Sequence, residues 1–239
     1  METMQMDPIN GIRAEYTQTE NVILQRRSVR CYRQKQVPAS MIERILEAGR
    51  FAPSAGNSQP WKFIVLRDPT PIEGLTRTTV RCCRMLTTLL DYRRPGFQWL
   101  TPLTKVVIRM KPNDLHPVPF GAMSLIANNK LGLYHGAPSV ILIFKDLRGV
   151  SNPDLDCGIA GQNMVLAAHS MGLGTCWVGF TKLAFQYARK WKKYFGIRYP
   201  YKFVSSLAIG WPVGRPDGVV GRVTHPVDWY ENGRKKTIW

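Results

Sequence analysis

Three short segments hold residue types that could do chemistry together. Arg26-Arg27-Ser28-Val29-Arg30 sets three guanidiniums and a hydroxyl within five residues. Guanidinium forks match phosphate bidentately, so the run can grip one phosphate and leave a cation for a second anionic group. By itself, a short basic run serves as well as a solvated surface. Ala52-Pro53-Ser54-Ala55-Gly56-Asn57-Ser58-Gln59-Pro60-Trp61 is rich in small residues that let backbone amides approach a planar ligand. Asn57 and Gln59 there offer paired donors and acceptors for the edge of a heterocycle. A plain turn needs none of Asn, Gln and Trp at that spacing. In Gly172-Leu173-Gly174-Thr175-Cys176-Trp177 the glycines again expose backbone amides.

Other chemistries have little to stand on. No Ser-His-Asp or Cys-His arrangement has an interpretable spacing. Five cysteines, Cys31, Cys82, Cys83, Cys157 and Cys176, form no C-x-x-C pair and are odd in number, so reduced thiols are expected. Cys157 and Cys176 read as small buried hydrophobes, and His169 as a core residue inside a buried helix. The four histidines have no H-x-H or H-E-x-x-H spacing, and no metal site is expected.

The elements that must position the three segments follow from periodicity. An N-terminal helix gives way to a loop at Arg26. A helix over 37–50 is predicted, with Ser40 as N-cap and Glu43 completing a capping box. A buried strand over 61–66 ends at Asp68-Pro69. A second buried strand covers 139–145. A helix over 154–170, apolar almost all round, must be buried and is stopped by Gly172 and Gly174. Short strands over 175–178 and 203–209 flank a basic amphipathic helix over 183–195. Strands and helices mix in one α+β layered domain spanning 1–239. Within it, 70–136 departs from the pattern. A helix over 72–90 leads into a stretch where Pro95, Pro102, Pro112, Pro117 and Pro119 alternate with Tyr92, Phe97, Trp99 and Phe120, which reads as a lid with aromatic walls for a flat substrate. The tail, 211–239, reads as an arm lying across another surface.

The chain has 239 residues, 44% apolar and 21% charged, close to ordinary globular averages. No apolar run reaches the length of a membrane span, and residues 1–16 have no apolar leader core, so a cytoplasmic location is expected. The net charge is +17. It is uneven: Cys157 to Pro216 contains no Asp or Glu but holds Lys182, Arg189, Lys190, Lys192, Lys193, Arg198, Lys202 and Arg215. Nucleic acid, a membrane surface, an acidic carrier protein or a phosphorylated small molecule would each be drawn to that field, and solubility alone is the plainer account.

In order and spacing the three segments resemble the nitroreductase-like flavoprotein family. The matching residues are Arg26-Arg27-Ser28-x-Arg30, Ala52-Pro53-Ser54-x-x-Asn57-x-Gln59-Pro60-Trp61, the run from Asp156-x-Gly158-Ile159-Ala160-x-Gln162-Asn163 to Ala167-Ala168-His169, Gly172-Leu173-Gly174, and Ile209-Gly210-Trp211-Pro212. The likeness covers 20–68 and 137–225 and is absent from 70–136. It implies a three-layer α+β sandwich with a central, mostly antiparallel sheet, an intertwined homodimer, and FMN in clefts between the subunits. Carried over position by position, Arg26, Arg27 and Ser28 would hold the phosphate and ribityl chain. Arg30 would sit near the flavin pyrimidine. Pro53, Ser54, Ala55, Asn57 and Gln59 would line the ring from the partner subunit, and Gly174 and Thr175 would reach its redox-active side. Arg222 matches a late basic residue closing over the phosphate, with Arg215 as rival; here Gly221 precedes Arg222 where the family often has Lys.

The implied activity is transfer of a hydride or electron pair from NAD(P)H to a flat, electron-poor acceptor such as a nitroaromatic or quinone, by a ping-pong mechanism in which the cofactor carries the chemistry and no side chain is catalytic. The acid, tyrosine and lysine lid pattern of the deiodinase branch is not present. The alternative is a basic flavoprotein that exchanges electrons with an acidic protein carrier or acts on an anionic substrate such as a CoA thioester. Nucleic acid is the least favoured partner.

Overall fold

The computed structural model describes residues 16–90, 117–214 and 225–238, with residues 99, 102, 106, 109 and 223 described singly. Residues 1–15, most of the proline-rich stretch, Arg215 and Arg222 lie outside the described residues.

Strand β2 (Ser139–Asp146) is the spine, and its alternation builds the layers. Val140 to Phe144 are each fully buried. Successive side chains on a strand point to opposite faces, so Val140, Leu142 and Phe144 enter one core and Ile141 and Ile143 the other. β1 (Trp61–Leu66) and β4 (Tyr201–Gly210) pair antiparallel with β2, and β3 (Gly174–Val178) pairs antiparallel with β4. The sheet order is therefore β1-β2-β4-β3. β1 is an edge strand and half-buried along most of its length, not fully buried as its apolar run implies.

Helices α2 (Ala39–Arg50) and α5 (Pro153–Ser170) cover one face. There Ile42, Ile45, Met164 and Val165 close the core over Ile141 and Ile143. The other face is covered by α3 (Pro69–Leu90), α4 (Pro117–Ala127), α6 (Lys182–Tyr187) and α7 (Arg189–Tyr194). Leu75, Met123 and Phe185 pack there around Phe144, whose ring meets those of Phe185 and Phe203 edge-on at 5.3 and 5.5 Å. Burying one such side chain is worth about 1.5–3 kcal/mol. This is the three-layer α+β arrangement with an antiparallel sheet. The two ends of the 70–136 stretch belong to the core through Leu75, Cys83 and Met123. Its proline- and aromatic-rich middle falls on undescribed residues.

Two helix boundaries differ from expectation. The N-cap position of α2 is Pro38, with no side-chain cap, and Ser40 lies inside the first turn. The capping box is instead on α1 (Gln18–Gln25), where the Thr17 hydroxyl accepts from Glu20 N and the Glu20 carboxylate accepts from Thr17 N. The basic helix over 183–195 is two helices, broken at Ala188 with φ −124° and ψ 92°. In the tail, β5 (Val227–Glu231) and β6 (Arg234–Ile238) form a hairpin turning at Asn232-Gly233, both at positive φ.

Candidate functional site

Segment 26–30 leaves α1 through Arg26, whose backbone C-caps the helix. The Arg27 side chain turns back, with Nη1 donating to the carbonyls of Leu24 at 2.5 Å and Arg26 at 2.8 Å. That fixes its direction and leaves the rest of its fork to bind. Arg26 is half-buried, and its Nε is a buried donor with no partner among the described residues. A buried N–H left unpaired costs about 1–3 kcal/mol, so it marks a place where an acceptor belongs. Ser28 and Arg30 are exposed.

The run is held against the sheet. Ser28 forms a parallel bridge with Thr175, and Val29 N donates to Thr175 O at 2.9 Å. The approach is possible because residue 174 has no side chain. A Cβ on Gly174 would lie 2.6, 2.7 and 2.9 Å from three Val29 side-chain carbons. Thr175 is buried. The turn into β3 is a Schellman cap on α5: Gly172, at φ 77°, donates to His169 O and Leu173 donates to Ala168 O, both at 2.9 Å.

This end of α5 brings up a residue the sequence reading set aside. His169 is half-buried, and burial holds its imidazole below the ordinary pKa, with Arg26 and Arg27 adding to the effect. The signal in sequence was its place one turn before the helix-stopping Gly172. Arg30 has titratable neighbours too. Burial raises the Cys176 thiol while the Arg30 guanidinium draws it back, and His135 is lowered by burial and then by Arg30. All five cysteines are free, and burial pushes Cys83 and Cys157 up to about 12, leaving those thiols protonated and inert.

Segment 54–59 has another character. Ala55–Asn57 makes one 3-10 turn with Gly56 at φ 58°. Asn57 and Gln59 also sit at positive φ, 53° and 45°. Each non-glycine residue so placed costs about 1–3 kcal/mol, which the surroundings must offset. The Ser54 hydroxyl accepts from Gln59 N at 2.9 Å, and Gln59 Nε2 donates to Asn57 Oδ1 at 3.0 Å. Ser54 and Ala55 are half-buried, Pro53, Asn57 and Gln59 are exposed, and Ser58 Oγ is buried without a partner among the described residues. Beside the loop an open cleft of about 380 Å³ is lined by Ser58, Gln59, Trp61, Arg148 and Tyr201.

The register separates the two halves. Thr175 pairs with Ile209 near one end of β4, and Trp61 reaches Lys202 at the other end through Lys145. Seven residues along β4 and three strand spacings across the sheet amount to about 27 Å. Arg26, Arg27, Ser28, Arg30, Gly174 and Thr175 are thus one corner, and Pro53, Ser54, Ala55, Asn57 and Gln59 are the diagonal corner of the same chain. Arg222 and its rival Arg215 lie outside the described residues. Among the described residues no group of three His, Cys, Asp or Glu could hold a metal, and no helix is long and apolar enough to cross a membrane.

Comparison with known proteins establishes the fold and the family. Among solved structures, a nitroreductase with bound FMN from Desulfitobacterium hafniense DCB-2 superposes with a TM-score of 0.62 over 88% of this chain and 99% of that one, at 24% identity, which establishes the fold. A putative NADH dehydrogenase/NAD(P)H nitroreductase of Methanothermobacter thermautotrophicus is 30% identical over 157 residues, 64% of this chain and 56% of that protein. Iodotyrosine deiodinase 1 of Sus scrofa is 29% identical over 125 residues, 52% of this chain and 35% of the deiodinase. The chain therefore spans only about half the length of the first of these relatives and about a third of the second. The Nitroreductase family model matches residues 23–211, from the last turns of α1 through both corners of the sheet to Trp211, and the chain belongs to that family.

Proposed function

We propose that the chain is an FMN-dependent oxidoreductase working as a homodimer, passing reducing equivalents from NAD(P)H to a flat, electron-poor acceptor of the nitroaromatic or quinone type in ping-pong fashion. The observation that carries this reading is the diagonal placement of the two corners. Neither is a complete site, and a second copy related by a two-fold axis would bring the 54–59 loop of each chain to the 26–30 run of the other. Unpartnered apolar surface accords with such a partner. Helix α1 buries none of its residues and leaves Ile23 and Leu24 exposed, and on the α2–α5 face Phe51 and Leu155 are 76% and 59% exposed.

The residues fit a phosphorylated flavin. Arg26, with its unpaired Nε, Arg27 and Ser28 would hold the phosphate, and Arg30 would place a positive charge beside the pyrimidine. Gly174 and Thr175, held against the 26–30 run by the Val29–Gly174 contact and the Ser28–Thr175 bridge, would reach the redox-active side of the ring. Pro53, Ser54, Ala55, Asn57 and Gln59 of the second copy would wall the other side. Bound FMN supplies the two-electron chemistry, and the protein supplies orientation, charge and exclusion of water. Within a single domain, the divergent stretch 70–136 is assigned as a lid or excursion and Arg222, or its rival Arg215, as the residue closing on the phosphate; free thiols favour a cytoplasmic location.

The test has two steps. Purified protein should show flavin absorption that bleaches on anaerobic NADPH; a colourless protein that cannot be reconstituted with FMN overturns the reading. Arg26→Ala and Asn57→Ala/Gln59→Ala variants should each lose FMN, and mixing the unfolded variants and refolding them together should restore about a quarter of wild-type sites, since half of random dimers are mixed and each mixed dimer has one intact site. No restoration would mean that the site is built within one chain.

A further inference from the structure

The surface made by α6, α7 and residues 196–199 holds none of the residues assigned to FMN above. Arg189, Lys190, Lys192 and Lys193 on α7, with Arg198 beyond it, are all exposed. No acid occurs anywhere in 157–216. The ion pairs among the described residues join Glu47–Arg50, Glu73–Arg77, Lys145–Asp154, Asp146–Arg148 and Asp228–Lys235, and none involves Arg189, Lys190, Lys192, Lys193 or Arg198. Three tyrosines are interleaved: Tyr187, Tyr194 and Tyr199 are 49%, 64% and 80% exposed. A concentrated like charge destabilises the free protein, and basic side chains with exposed tyrosines are what an anionic partner would engage.

We propose that this surface docks a small acidic one-electron carrier protein that delivers reducing equivalents to the enzyme; the proposal rests on the oxidoreductase reading above. One feature favours an electron-carrying protein over nucleic acid: the surface is joined to the candidate site by β3, which runs about 13 Å from Val178, just before α6, to Gly174. The electron count is simple: two carrier molecules are each oxidised by one electron, and the pair, with two protons from water, reduces bound FMN to its hydroquinone. Lysine point charges set the approach, and their pull on the carrier is screened by salt.

The test uses the FMN-loaded protein and, as probe, a plant-type [2Fe–2S] ferredoxin, an acidic one-electron carrier. Binding is read by co-sedimentation, independently of electron transfer. The expected result is a Kd that rises at least about tenfold from low to high NaCl and again in Lys192→Glu/Lys193→Glu, while NADPH-driven bleaching in that variant is unchanged. Equal binding by wild type and variant overturns the proposal. So does an oligonucleotide that binds more tightly than ferredoxin, which would assign the surface to nucleic acid. Failure of FMN to load at all would sink the oxidoreductase reading instead, and the ferredoxin co-sedimentation still decides the docking surface.

Discussion

The two diagonal corners of the sheet are held in opposite ways. At the 26–30 corner order comes from close approach: a backbone bridge from Ser28 to Thr175, Val29 seated on Gly174, and a Schellman cap that ends α5. At the 54–59 corner it comes from strain held by polar bonds, with Asn57 and Gln59 both left-handed and tied to Ser54 and to each other. One corner cannot accept added bulk, and the other cannot accept the wrong backbone preference. In the dimer proposed above, a cofactor between two such surfaces would meet a packed floor with a cationic edge on one side and a rigid polar clip on the other.

The sharpest way to break this contrast is Gly174→Ala. The new methyl must displace Val29, a stiff β-branched side chain, and with it the whole 26–30 run. A loss of about 1–3 kcal/mol is expected, lowering Tm by about 2–4 °C per kcal/mol, together with loss of FMN retention. Val29→Ala in the same chain should recover part of both, as read by thermal melts and FMN titration. Recovery of neither would mean that Gly174 matters for another reason than space.

The next effect lies at the other corner. Asn57→Val places a β-branched residue at φ 53° and should cost about 1–3 kcal/mol, whereas Asn57→Gly, which accepts that backbone, should leave stability nearly unchanged while FMN binding weakens. Equal losses for the two would show that the Asn57 side-chain bond dominates over backbone strain.

The smallest effect is titration, and it sharpens the contrast because both perturbed imidazoles stand by the arginine corner. Burial, with Arg26 and Arg27 near His169 and Arg30 near His135, holds both imidazoles below their ordinary values. Between the folded values and about pH 6.5 the unfolded chain binds more protons than the folded one, so stability is whole above that window and falls as pH drops through it. His135→Asn/His169→Gln should flatten the pH dependence of Tm there. An unchanged slope would place the acid sensitivity elsewhere.

Much of this was legible in the chain. The alternation of Val140 to Phe144, the Asn152-Pro153 opening of α5 and the Gly172 stop act over a few residues, and their physics is local. The three candidate segments stand out for the same reason, since a phosphate grip and a heterocycle edge each need only neighbouring side chains. Misreadings came where distant packing decides. Pro38 could take the N-cap position of α2 in place of Ser40 without a side-chain bond because burial of Ile42 and Ile45 holds the helix. The break at Ala188 has no marker in sequence and turns Trp191 into the core, where its indole N–H donates to Thr78 Oγ1 at 3.0 Å. The Asn232-Gly233 turn was present as a dipeptide and was passed over because the tail carries no strong alternation.

By itself, then, the sequence determined the main strands and their covering helices, the candidate binding residue types and the acid-free cationic run, since each rests on short-range periodicity, side-chain chemistry or charge count. Only the tertiary structure decided that the two halves of the site occupy opposite corners of one sheet, and that His169 stands beside the arginine pair. Those facts depend on strand order and register, which are set by how two faces of β2 choose their helices, and no stretch of sequence encodes them alone.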